Sequence, residues 1–214
     1  MGRKTKEEAE ETRRNILLAA LDVLSEKGYS RTTFVDIAKR IGMTKGAVYW
    51  HFKDKPSLLA ALMHEMRERE DALVAENVSE IMSLDDLKSY FLSRIRVLTQ
   101  DAQCRKFAFF LLLQMEWSVE VMAAVREEIT RFREEPFAEI RPILAAAKSR
   151  GELAEPIDIT AANDILVSTW VGLLMAHFQG ISSTEPVVAA DAAFEALINT
   201  LKAKGNRNDE GDFS

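Results

Sequence analysis

Between residues 44 and 55 the chain reads TKGAVYWHFKDK, which brings hydroxyls, amines, a phenol, an indole and an imidazole into one short stretch. Thr44, Tyr49 and His51 can donate hydrogen bonds to phosphate oxygens, and Lys45, Lys53 and Lys55 add positive charge. A helix N-terminus in the same stretch supplies backbone donors as well. This is chemistry for holding a polyanion, not for making or breaking bonds. The three histidines, His51, His64 and His177, lie far apart in sequence and match no HExxH, GxSxG or P-loop pattern, so an enzyme is not expected. No metal or cofactor is expected either. Cys104 is the single cysteine. It excludes an internal disulfide and a cysteine zinc cluster, reads as a small buried hydrophobe, and fits a reducing compartment.

A net charge of −6 over 214 residues argues against a polyanion partner until the chain is divided at Lys55. Residues 1 to 55 hold 12 Lys and Arg against 8 Asp and Glu, a balance of +4, and the remainder holds 16 against 26, a balance of −10. A basic head on an acidic body confines the anionic partner to one end. The charged opening MGRKTKEEAEETRRN has no apolar core of a signal peptide, and the most apolar stretch, Ile165 to Phe178, falls short of the ~20 residues a bilayer span needs. A cytoplasmic location without membrane partners is the expectation.

The elements that must position these groups are helices. Apolar residues recur at helical spacing, as in Leu17, Ala20, Leu21 and Leu24, and no alternating β-branched run is bounded by hairpin turns, so the fold class is all-α. Stops fall at Gly28, Gly42, Gly151, Gly180 and Gly205. Starts fall at a capping box of Thr33 and Asp36, at N-caps Thr44 and Asp54 with Pro56 in the first turn, and at Asp158 and Pro186. About nine helices result, over residues 10 to 27, 34 to 41, 45 to 52, 55 to 80, 84 to 100, 103 to 117, 119 to 150, 159 to 179 and 186 to 203. Pro136 and Pro142 should kink or break the seventh. The charged run from Arg126 to Glu135 reads as a solvated helix face. Residues 205 to 214 read as a disordered tail.

Residues 33 to 59, TFVDIAKRIGMTKGAVYWHFKDKPSLL, place two short helices around a turn too tight for an ordinary loop. Ala38 is small where the helices approach, Gly42 suits a left-handed turn, and Val48 packs between them. Ile37, Ile41, Met43 and Phe52 extend this miniature core, which the first helix must cover through Leu17, Leu21 and Leu24. The result is a helix-turn-helix head over residues 1 to 55. Its second helix starts at Thr44, so Lys45, Gly46 and Ala47 form the turn that enters a major groove. Lys45 can donate to guanine, and Ala47 can touch a thymine methyl.

These residues resemble the TetR family, whose pattern is carried here by Thr33, Ile37-Ala38, Gly42, Met43, Thr44, Gly46-Ala47-Val48-Tyr49-Trp50-His51-Phe52 and Lys55. Within that family, the opening RKTKEEAEETRRNILLAA and the YWHF block look most like multidrug-efflux repressors of the AcrR and TtgR kind. The resemblance implies that Thr33, Thr44, Tyr49, His51 and Lys55 clamp phosphates, that Lys45, Gly46 and Ala47 face bases, and that Trp50 packs or lies at the groove edge. Bulky Val35 stands where some relatives carry a polar base-reader. The resemblance also implies double-stranded operator DNA, a small hydrophobic effector, and a homodimer through the last two helices.

FAFFLLLQMEW and ILVSTWVGLLMAHF are apolar on more than one face and so must be buried on several sides, and the resemblance implies that residues 56 to 204 are a ligand-binding and dimerisation domain. Helical phase nominates Met66, Phe91, Ile95, Leu112, Ile140, Leu166, Trp170 and Leu174 as cavity lining, with ordinary core packing as the alternative. Thioethers and rings suit dissimilar apolar ligands. Gln114, Glu116, Asn163 and His177 are the polar residues available to orient one, and an inward Glu116 would favour a cation. A body packed without a cavity would instead mean a ligand-independent DNA-binding or architectural protein.

Overall fold

The computed structural model describes residues 6–76, 83–131 and 137–202. Among them the chain forms ten α-helices and one π-helical segment, with no strand beyond an isolated bridge between Leu153 and Lys202. The helices are α1 Lys6–Lys27, α2 Phe34–Arg40, α3 Lys45–His51, α4 Lys55–Ala75, α5 Leu84–Gln100, α6 Ala102–Phe109, α7 Val119–Arg131, α8 Ile140–Ser149, α9 Ile159–Phe178 and α10 Pro186–Leu201. The π segment Phe110–Gln114 follows α6 without interruption.

The helix boundaries follow local chemistry. Thr33 accepts from Asp36 N while Asp36 accepts from Thr33 N, closing the expected capping box. Thr44 accepts from Ala47 N, and Asp54 from Ser57 N. Gly28, Gly42, Gly151 and Gly180 all adopt positive φ at the ends of helices or turns. Gly205 and the expected tail lie outside the described residues.

The seventh helix, expected over 119 to 150 with a kink or break at its prolines, is two helices, α7 and α8, with Pro136 itself outside the described residues. Pro142 causes no kink, because it sits in the first turn of α8 where its missing N–H has no intrahelical partner to lose. The apolar stretch seen from Ile165 belongs to a longer helix: α9 has 20 residues and contains an 18-residue window of mean hydropathy 1.4, long and apolar enough by length and composition to cross a membrane. It is packed here against α8 and α10, with 28% of that apolar window buried.

Two apolar cores organise the chain. The first joins α1, α2 and α3 to the start of α4, and it also takes Phe107, Phe110, Met115 and Val125 from beyond residue 55. Head and body therefore share packed side chains and are not merely strung together. The second core unites α5, α8, α9 and α10 around Phe91 and Phe194, whose rings stack at 4.4 Å.

Candidate nucleic-acid interface and ligand cavity

α3 is fixed from below and bare above. Val48 is fully buried in the head core, while Thr44, Lys45 and Gly46 are exposed at the first turn. Tyr49 leaves 49% of its surface open and Trp50 leaves 74%. Both figures are far above what a packed aromatic keeps, so these rings present apolar surface and polar tips outward. Tyr49 is steadied by Phe34, centroid to centroid 4.8 Å, and Lys45 Nζ lies 5.2 Å from its ring. Trp50 meets His51 edge to face at 4.6 Å. Ala47 is half-buried.

Two nominated residues have other engagements. The Thr33 hydroxyl donates to Asp36 Oδ2 at 2.6 Å, so its proton is committed to its own cap. Lys55 is turned inward: its Nζ donates to Tyr29 O at 2.9 Å and Ser30 O at 3.1 Å, and lies 4.7 Å from the Tyr29 ring. Partial burial holds its ammonium below the ordinary lysine value. It fastens the α1–α2 turn to the start of α4. Asp36, held by Lys27 at 2.6 Å and by Thr33, has its carboxyl lowered to about 2.

The body contains an apolar, partly open cavity of about 200 Å³ between α4, α5, α6 and α9, with Phe137 also on its wall. Of the nominated residues, Met66 and Trp170 line it. Phe91, Ile95, Ile140, Leu166 and Leu174 are instead wholly enclosed core, and Leu112 packs against that core, because helical phase distinguishes inside from outside but not wall from filling. Glu116 is exposed at the end of the π segment and accepts a short hydrogen bond from Ser30 Oγ in the head. Asn163 donates to Asp164, and the His177 ring lies tilted beside that of Phe178, both outside the cavity lining. Gln114 Oε1 is buried without a hydrogen-bond partner and is likewise not part of the wall.

The polar part of the wall comes from residues that sequence reasoning passed over. Glu70 and Arg94 are 8% and 3% exposed and both face the cavity, with Arg67 and His64 beside them. Arg94 Nη1 donates to Tyr90 Oη at 2.7 Å and to Asp71 Oδ1 at 3.0 Å, and Arg67 Nη2 donates to Glu139 at 3.2 Å. Tyr90 donates a short bond to the same Glu139. Burial raises the Glu70 carboxyl against the pull of Arg94. Glu70 does continue the apolar row of Leu59, Leu62, Met66 and Val74 on α4, which was the available signal. Glu128, in the run expected to be solvated, is also nearly buried and accepts from Lys53 Nζ at 2.7 Å.

A family model described as "Bacterial regulatory proteins, tetR family" matches residues 16–62, the segment from α1 into α4. The chain is 34% identical over 164 residues to the probable HTH-type transcriptional regulator ArpR of Pseudomonas putida, covering 76% of this chain and 78% of that protein. It is 29% identical to the HTH-type transcriptional repressor BepR of Brucella suis biovar 1, covering 95% and 98%. The fold matches the crystal structure of native NalD, the secondary repressor of the MexAB-OprM multidrug efflux pump in Pseudomonas aeruginosa. That match has a TM-score of 0.75 at 26% identity and covers 91% and 98% of the two chains. A capped, outward-facing α3 in a three-helix head, a helical body behind it and relatives matched over most of both chains agree on one conclusion: the protein belongs to the TetR family of transcriptional regulators.

Proposed function

We propose that the chain is a repressor that binds a palindromic operator as a homodimer and is released by a small hydrophobic ligand. The observation that carries this reading is a bare recognition helix tied to a cavity wall by packed elements. α4 begins at the head with Lys55 and lines the cavity with Ala60, Met63 and Met66. The α6–π unit lines it with Phe107 and Leu111 and then touches the head through Glu116. A ligand that spreads these walls moves both supports of the helix-turn-helix. Ligand and DNA then antagonise each other reciprocally.

A second copy fits the outer face of α9, where Ala161, Ile165, Ser168 and Gly172 form an exposed row of mostly small residues at helical spacing. Small residues let helix axes approach closely, and a two-fold arrangement repeats the contact. Two recognition helices about 34 to 36 Å apart then reach successive major grooves. Thr44, Tyr49 and His51 clamp phosphates; Lys45, Gly46 and Ala47 face the bases, with Trp50 at the groove edge. Residues 1 to 55 serve as the DNA-binding unit and 56 to 204 as the sensing and pairing unit. The cavity weighs against a ligand-independent architectural protein. Control of a multidrug efflux operon extends the same reading, because NalD is described as regulating such a pump.

The test is to select operators from random DNA and then add hydrophobic compounds to the complex. Release at concentrations that leave the dimer folded is expected. An operator affinity unmoved by every compound that binds the body would overturn ligand control.

A further inference from the structure

The cavity is apolar except for one wall, where Glu70 Oε1 and Arg94 Nε stand 2.9 Å apart. The Arg94 N–H is poorly aligned with the carboxylate oxygen, and neither buried atom has a well-formed hydrogen bond. The other end of Arg94 is already held by Tyr90 and Asp71, so the guanidinium cannot turn to correct the misalignment without losing those bonds. A buried polar atom without a partner is costly, and here an acceptor and a donor are left adjacent on the wall of one cavity.

Resting on the ligand-sensing reading above, we propose that Glu70 and Arg94 form the polar subsite of the effector, and that the effector is a neutral apolar molecule carrying a hydrogen-bond donor and acceptor side by side, as in a carboxamide. The donor of such a group meets Glu70 Oε1, and its carbonyl meets Arg94 Nε. A neutral group suits this wall better than a charged one, because the pair already balances its own charge and a further ion would have to be stripped of water. The remainder of the ligand lies against Phe107, Leu111, Phe137 and Trp170. A cavity of about 200 Å³ accommodates a ring system, since one of order 150 Å³ accepts benzene. Phe137, at φ 61, sets its ring edge to face against Trp170 at 5.0 Å and 5.4 Å from the Arg94 guanidinium, joining the apolar and polar walls.

Three matched probes distinguish the possibilities: 2-naphthamide donates and accepts, methyl 2-naphthoate only accepts, and 2-naphthylmethylammonium is a cation. Binding to the full chain is read from Trp170 emission in a Trp50→Phe, Trp117→Phe background, which leaves one of the three indoles. The amide is expected to bind about tenfold tighter than the ester, the effect of one hydrogen bond to a charged buried partner. Glu70→Leu is expected to reduce the amide to the ester's affinity and to leave the ester within about twofold. Equal binding of amide and ester by the parent, tightest binding of the cation, or an amide preference that survives Glu70→Leu would each overturn the subsite. If Glu70→Leu does not melt cooperatively, the parent comparison decides alone. Failure of all three probes to bind overturns ligand sensing together with the subsite, whereas ester binding without amide preference overturns the subsite only.

Discussion

Tyr49 shows what a single residue contributes at the head. Its ring rests on Phe34 and its hydroxyl end is exposed, so truncation removes a phosphate partner without opening the core. Tyr49→Ala is expected to weaken binding several-fold on all sequences alike, measured as a uniform loss across operator variants. A loss confined to particular base pairs would reassign it to base reading. Asp36 has a different signature. Lys27 and Thr33 lower its carboxyl from the ordinary 3.8 to about 2, so the folded state favours the ionised form. That stabilisation is complete above pH ~4 and is lost as the pH falls towards ~2. The melting-temperature gap between the parent and Asp36→Asn is therefore expected to be widest near neutrality and to close between pH 4 and pH 2. A gap that is constant with pH would mean the carboxylate's charge contributes nothing.

At the scale of elements, the turn between α2 and α3 depends on Gly42, whose φ is 65. An added Cβ would meet nothing within 4 Å, so the cost of Gly42→Ala is conformational, about 1 kcal/mol, and not steric. Chemical denaturation is expected to show that loss at an unchanged slope. The π segment is a second device. π-Helical turns are rare and cluster at functional sites, and this one carries cavity-lining Leu111 at one side and leads to Glu116, bonded to Ser30, at the other. Ser30→Ala is expected to leave operator affinity without ligand nearly intact while shrinking the ligand-induced loss of affinity by about half or more. Unchanged coupling would leave transmission to α4 alone.

At the scale of the molecule, the exposed row on α9 is the feature that a lone chain does not explain. Ile165 is 47% exposed and Val188 on α10 is 60% exposed. Gly172→Leu together with Ile165→Arg introduces bulk and charge where the helices of two copies would meet. Sedimentation is expected to shift from dimer to monomer, and operator binding to weaken by at least tenfold because one half-site holds alone. A dimer that survives both changes would move the interface elsewhere.

Much of the head was legible in the sequence. Caps at Thr33, Thr44 and Asp54, glycines at Gly28 and Gly42, and the buried trio Ala38, Ile37 and Val48 all act within a few residues of one another, and local chemistry is what a sequence records directly. The TetR pattern within residues 33 to 55 added the family. Tertiary structure decided the rest. Lys55, expected to clamp a phosphate, is held by two backbone carbonyls from the α1–α2 turn. Phe91 and Leu166 looked as fit to line a cavity as Met66 and Trp170, because burial and cavity lining share one periodicity. Glu70 and Arg94 lie 24 positions apart on different helices, and only the packing of α4 against α5 makes them neighbours and takes both out of water. A helix-turn-helix is specified by contacts close in sequence, whereas a cavity is the space that remains after distant helices have packed.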